Sequence, residues 1–67
     1  MYILKIRGTD KIPDYIQIRD DSFTLIAYFK ISRPGSALAR CNLLHRLEEI
    51  LATADKMEYG IMEKIEL

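Results

Sequence analysis

Cys41 and His45 are the first residues of this sequence whose types and spacing suggest chemistry, because they lie four positions apart. On one helix this spacing brings two side chains together, and a thiol beside an imidazole is the minimum for an activated thiolate or half of a metal site. The chain holds no other cysteine or histidine to complete zinc ligation. A free cysteine beside an apolar stripe usually packs as a small hydrophobic residue. We therefore predict a structural role for this pair, no metal site and no cofactor.

Aspartates near two predicted connections form a second candidate group: Asp10, Asp14, Asp20 and Asp21. Paired carboxylates can perform acid–base chemistry or bind a hard cation. Their spacing lacks the alternating ligands and the glycine of a calcium loop, and aspartate is common in turns because it accepts hydrogen bonds from nearby backbone amides. No glycine-rich elbow presents a serine nucleophile either. The sequence thus predicts a protein that is not an enzyme.

Arg40 is the most unusual charged residue, because helical spacing places it near the centre of an apolar stripe that includes Ala37 and Leu44. Two interpretations stay open. The side chain can extend past the sheet edge or pair with a carboxylate, or it can contact an anion or a partner together with Arg33.

The elements that position these residues follow from the hydrophobic pattern, which predicts three strands, one helix and a fourth strand. Residues 1 to 7 alternate with Tyr2, Leu4 and Ile6 on one face, and a second strand follows Pro13 with Ile16 and Ile18 inward. The third strand spans residues 23 to 31. Its inward set comprises Phe23, Leu25, Ala27, Phe29 and Ile31. Short connections favour an antiparallel meander for these three strands.

The predicted helix runs from Ser36, a suitable N-cap, to about Ala54. Its apolar stripe comprises Ala37, Leu44, Leu47, Leu51 and Ala54, flanked by Cys41, Leu43 and Ile50. A final strand over residues 61 to 67 follows, and a strand–helix–strand unit favours a right-handed crossover to a parallel strand. We therefore predict one α+β domain over residues 1–67: β-β-β-α-β, a small mixed sheet with a single amphipathic helix packed on one face.

This architecture leaves the second face of the sheet uncovered. The apolar residues expected there are Ile3, Tyr15, Ile26, Tyr28 and Met62, among Lys5, Gln17, Thr24, Lys30 and Lys64. An apolar patch with a polar rim is typical of an interaction surface. We predict a protein-binding or regulatory module that self-associates through this face or through an exposed edge, for which the final strand is a candidate. The predicted binding residues are Tyr15, Ile26, Tyr28, Lys30, Arg33 and Arg40.

The length and net charge of the chain indicate which kinds of partner to expect. A chain of 67 residues buries only about 60% of its unfolded surface, so association is a common source of further stability. Ten basic residues balance ten acidic ones, which makes nucleic acid an unlikely partner. A single-stranded nucleic-acid platform on the aromatic and basic residues of the uncovered face is the alternative. No signal peptide or membrane span is evident, and the single thiol favours the cytoplasm.

The order of strands around one helix and the ending Ile61-Met62-Glu63-Lys64-Ile65-Glu66-Leu67 resemble the small core linker polypeptides of cyanobacterial light-harvesting antennae. The resemblance covers the two ends of the chain and not its middle. It implies a second alternative, a small subunit or linker of a larger assembly, and it transfers no site residues.

Overall fold

A computed structural model describes residues 1–67 as a four-stranded sheet with helices on one side. The strands are β1 (Tyr2–Ile6), β2 (Tyr15–Arg19), β3 (Leu25–Lys30) and β4 (Met62–Lys64). Their spatial order is β3-β2-β1-β4, and every neighbouring pair is antiparallel. The α+β class and the β-β-β-α-β sequence are confirmed. The parallel pairing predicted for the last strand is wrong, so the sheet is antiparallel and not mixed.

The helical region is interrupted, which explains this difference. Helix α1 covers Gly35–Arg40, a 3₁₀ turn covers Leu44–Arg46, and helix α2 covers Leu47–Lys56. Asn42 lies between them in the left-handed region with φ of 64°, a conformation that asparagine tolerates better than most residues. A continuous helix along the strands carries the chain to the opposite end of the sheet. The interruption lets the chain return to the end where β3 stops, so β4 runs antiparallel to β1.

The core lies between the sheet and the helices. Ile3, Ile16, Ile18, Leu38 and Ile50 are its fully buried large side chains, and full burial of each is worth about 1.5–3 kcal/mol. The inward positions predicted for β2 are therefore confirmed, as are Ala27 and Phe29 of β3.

The faces predicted for β1 are reversed. Ile3 pairs with Ile18, and Lys5 pairs with Ile16. Residues directly opposite each other in an antiparallel pair share a face, so Ile3 and Lys5 lie on the helix-covered side although Tyr2, Leu4 and Ile6 are the more apolar set. The pairing register, and not the apolar count, decides which face is buried.

The predicted helix stripe is also corrected by the interruption. Leu44, placed in the middle of that stripe, is about half exposed in the 3₁₀ turn. Leu38 and Met57 are buried instead. A break of a few residues changes the rotational phase of the second segment, so one helical periodicity cannot describe both.

The turn between β2 and β3 is built as predicted around Asp20-Asp21-Ser22. The Phe23 N–H donates to the Asp20 carbonyl at 2.9 Å, and Asp20 Oδ1 accepts from the N–H groups of Ser22 and Thr24 at 2.9 and 3.0 Å. This geometry holds Phe23 at a φ of 64°. A bulky residue there is unusual, since a left-handed conformation costs roughly 1–2 kcal/mol.

A β-bulge at the start of β3 shifts its faces. Leu25 pairs with Arg19 and Ala27 with Ile18, so Ile26 is the extra residue. Phe23 and Leu25, predicted to face the core, are 54% and 43% exposed. Ile26, predicted on the uncovered face, packs against the core cluster instead.

Candidate interaction surface

The side of the sheet away from the helices, called the open face here, carries aromatic, aliphatic, basic and amide side chains. The pairing register places on it Tyr2, Leu4, Ile6, Tyr15, Gln17, Arg19, Leu25, Tyr28, Lys30, Met62 and Lys64. None of these strand positions holds a carboxylate. Its three basic residues, Arg19, Lys30 and Lys64, therefore have no acidic side chain among the strand positions of the same face.

Aromatic side chains on this face form two stacked pairs. The Tyr15 and Tyr28 ring centroids lie 4.8 Å apart with the planes inclined by 28°. The Tyr2 and Phe23 ring centroids lie 4.6 Å apart with an inclination of 22°. Such pairs contribute about 0.5–1.5 kcal/mol beyond burial. Tyr28 and Phe23 are nevertheless half exposed, so each pair presents one ring surface to solvent.

The two edge strands differ in how open they are to pairing. β4 has only three residues, all exposed, including Glu63 and Lys64, and a short charged strand resists further pairing. β3 has six residues, of which only Lys30 is charged. The more open edge is therefore β3 and not the final strand that the sequence suggested.

Backbone groups of Tyr28 point out from the β3 edge. The Ile31 N–H donates to the Asp14 carbonyl at 3.0 Å, so Asp14 and Ile31 form a hydrogen-bonded pair. Hydrogen-bonded and non-hydrogen-bonded pairs alternate along an antiparallel ladder, so Ile16 and Phe29 form the next hydrogen-bonded pair. Tyr28 belongs to the alternate set, so its N–H and carbonyl face away from β2. No turn or cap hydrogen bond involves them. An added strand would find one free donor and one free acceptor at this residue.

The six predicted binding residues lie around β3. Ile26 and Tyr28 line a small groove with Ala37 and Arg40 of α1. Arg40 is exposed, and its Nε donates to the Ser36 carbonyl at 3.4 Å, so it does not lie within the apolar core. The other three are close by: Tyr15 stacks on Tyr28, Lys30 ends the strand, and Arg33 follows with its N–H on the Lys30 carbonyl. Their role in binding stays a prediction.

A polar cluster that the sequence did not reveal joins the β1–β2 connection to the segment after α2. The Tyr59 hydroxyl donates to Asp14 Oδ2 at 2.6 Å, and the Gly8 N–H donates to Asp14 Oδ1 at 2.7 Å. These bonds, the Tyr59 bond foremost, hold the pKa of Asp14 below its ordinary value, and the same carboxylate raises the pKa of Tyr59. Asp14 and Tyr59 are 45 positions apart, so no local signal could have linked them.

Two cations pack against the Tyr59 ring in this cluster. Lys5 Nζ lies 4.7 Å and Arg7 Cζ 4.5 Å from its centroid. Gly8 is required nearby, because a Cβ atom there would lie 2.0 Å from the Ile12 carbonyl oxygen. The cluster therefore fixes one end of the sheet, and Asp14 has the connection role that the sequence predicted for it.

The interruption of the helical region places Cys41 and His45 in different elements. Cys41 lies at the end of α1 with Sγ 3.6 Å from the Leu38 carbonyl, whereas His45 is exposed in the 3₁₀ turn. The four-residue helical spacing that would join them is absent. No group of three or more His, Cys, Asp or Glu side chains is arranged to hold a metal ion.

Comparison with known proteins found no matching family model, no similar curated protein and no similar solved structure. The resemblance of the chain ends to linker polypeptides therefore carries no family assignment. Neither helix has the length and apolar character needed to cross a membrane.

Proposed function

We propose that this protein is a non-enzymatic interaction module that self-associates through the free edge of β3. The observation that carries the proposal is the concentration of exposed apolar side chains at an edge strand whose only charged residue is Lys30. Phe23, Leu25 and Tyr28 lie on or just before β3, and all are at least 43% exposed. Edge strands with unpaired backbone groups are templates for pairing with another chain.

The strained backbone of Phe23, which precedes β3, supports a binding role for the same surface. Phe23 keeps a left-handed backbone and presents a half-exposed ring, an arrangement that local stability alone does not favour. Backbone strain of this kind concentrates at functional positions. A binding role for the ring supplies a reason for keeping an aromatic residue where glycine or asparagine fits the backbone better.

Charge favours the edge over the open face as the contact between two copies. Two open faces packed together would bring Arg19, Lys30 and Lys64 against the same three cations, with no carboxylate at the strand positions. Like charges desolvated together oppose association. The edge contact avoids this repulsion, because backbone hydrogen bonds supply much of its energy.

Light scattering and sedimentation over a dilution series test the proposal. The wild-type chain is expected to form a dimer or larger species, and Tyr28→Asp is expected to weaken association at least tenfold by placing a charge at the edge. Met62→Asp is the matched control, because Met62 lies on the open face at the opposite edge strand. Equal weakening by both variants would implicate the open face instead, and a wild-type monomer at all concentrations would refute self-association.

Single-stranded nucleic acid is a second candidate for the open face. The specific observation is the two stacked aromatic pairs beside three cations, since bases stack on aromatic side chains while cations bind phosphates. This function requires oligonucleotide affinity that falls steeply with salt and decreases in Tyr28→Asp. A gel shift without either property would exclude it.

A further inference from the structure

We propose that two copies of β3 pair antiparallel, so that the two sheets join into one continuous eight-stranded sheet. This inference rests on the self-association proposed above and deepens it by naming the direction of pairing. The partner is a second copy of this chain, and the recognition elements are the backbone edge and the charges at its two ends.

The charges flanking β3 are segregated by sign. Asp20 and Asp21 precede the strand, and Lys30 and Arg33 end and follow it. Residues 22 to 29 between them carry no charge. Antiparallel pairing therefore places the acidic end of one copy beside the basic end of the other at both ends of the contact. Parallel pairing would place acid beside acid and base beside base.

Both signs are available at the surface. Asp21 is exposed, and its ion pair with the Met1 ammonium at 2.8 Å leaves its side chain 85% accessible. Arg33 is exposed, and its guanidinium makes no hydrogen bond or ion pair within the chain. Each dimer would gain two symmetry-related contacts between these residues, since a two-fold axis repeats every contact.

Backbone geometry is compatible with the same arrangement. The outward N–H and carbonyl of Tyr28 are the groups that an antiparallel neighbour engages in pairs. A two-fold axis near the middle of β3 lays the start of one strand beside the end of the other, so the turn that carries Asp21 in one copy lies on the same side as the segment that carries Arg33 in the other.

Charge reversal at one end at a time distinguishes the directions of pairing. Arg33→Glu alone places a carboxylate beside Asp21 of the other copy, and Asp21→Lys alone places an ammonium beside Arg33 of the other copy, so each variant is expected to dimerise about tenfold more weakly than wild type. In an equimolar mixture, both contacts between positions 21 and 33 of the heterodimer again join opposite charges. Native mass spectrometry and sedimentation are expected to show a heterodimer within about threefold of the wild-type affinity.

Variants with reversed charges far from β3 provide the control. Lys56→Glu and Glu58→Lys alter exposed residues at the end of α2 and just after it, and their mixture is expected to show no preference for the heterodimer. Circular dichroism of each chain establishes that the fold is retained.

Each result decides the inference. Recovery of association in the mixture of the β3 variants supports antiparallel pairing. Weakened variants that do not recover on mixing, or variants that dimerise as wild type does, overturn the pairing mode while self-association stands. A monomeric wild-type chain overturns the proposed function itself and this inference with it.

Discussion

The backbone conformation of Phe23 predicts which of two substitutions, by glycine or by alanine, gives the more stable chain. Its φ of 64° costs any residue with a Cβ atom roughly 1–2 kcal/mol. Glycine avoids that cost but loses about 0.4–1 kcal/mol through the greater entropy of the unfolded chain. Phe23→Gly is therefore expected to be more stable than Phe23→Ala by about 0.5–1 kcal/mol.

Both substitutions also remove the aromatic ring. The Tyr2 stacking contact is worth about 0.5–1.5 kcal/mol, and burial of roughly half a phenylalanine side chain adds about 1 kcal/mol. Phe23→Ala is thus expected to lose about 2 kcal/mol relative to wild type. Phe23→Gly recovers part of that loss, so its melting temperature should exceed that of Phe23→Ala by about 2–8 °C.

Ala39→Gly is the matched control, because at this position glycine is expected to be less stable than alanine. Ala39 is exposed within α1, where glycine costs about 1 kcal/mol relative to alanine. Urea unfolding of all variants at two protein concentrations separates folding from dimer dissociation, because only the latter depends on concentration. If alanine were more stable than glycine at position 23 as well, the strain assigned to Phe23 would be refuted, and with it the strain argument for the binding surface.

Two further predictions concern the cluster around Asp14. Because the pKa of Asp14 is lowered in the folded chain, its contribution to stability is present above the unfolded pKa and is lost as pH falls through the folded pKa. Asp14→Asn should therefore show a flatter decline of unfolding free energy in acid than wild type, with part of the slope retained because the pKa of Asp21 is also lowered; parallel acid profiles would contradict this. Gly8→Ala is expected to destabilise the chain by about 1–3 kcal/mol, since its Cβ would overlap the Ile12 carbonyl, and denaturant unfolding showing wild-type stability would disprove the need for glycine there.

The candidate surface was predicted in part. Tyr15, Tyr28 and Lys30 belong to the open face as the alternation of β2 and β3 indicates. Ile26 does not, because the bulge at the start of β3 turns it towards the core. A bulge inserts one residue into a period of two, and the sequence between Asp20 and Ala27 contains no glycine or proline to mark it. Arg40 reaches the groove beside β3, although the continuous helix that placed it in an apolar stripe is interrupted.

The sequence by itself determined the local elements: alternation predicts β2 and β3, aspartate chemistry predicts the turn that joins them, and the apolar spacing predicts helix after Pro34. These features depend on neighbouring residues. Only the tertiary structure decided which face of β1 is buried, where the helix breaks and which edge is open, because each depends on pairing between distant segments. Ile3 is buried since it lies opposite Ile18, and β3 is left as an open edge since β4 pairs with β1 and not with β3.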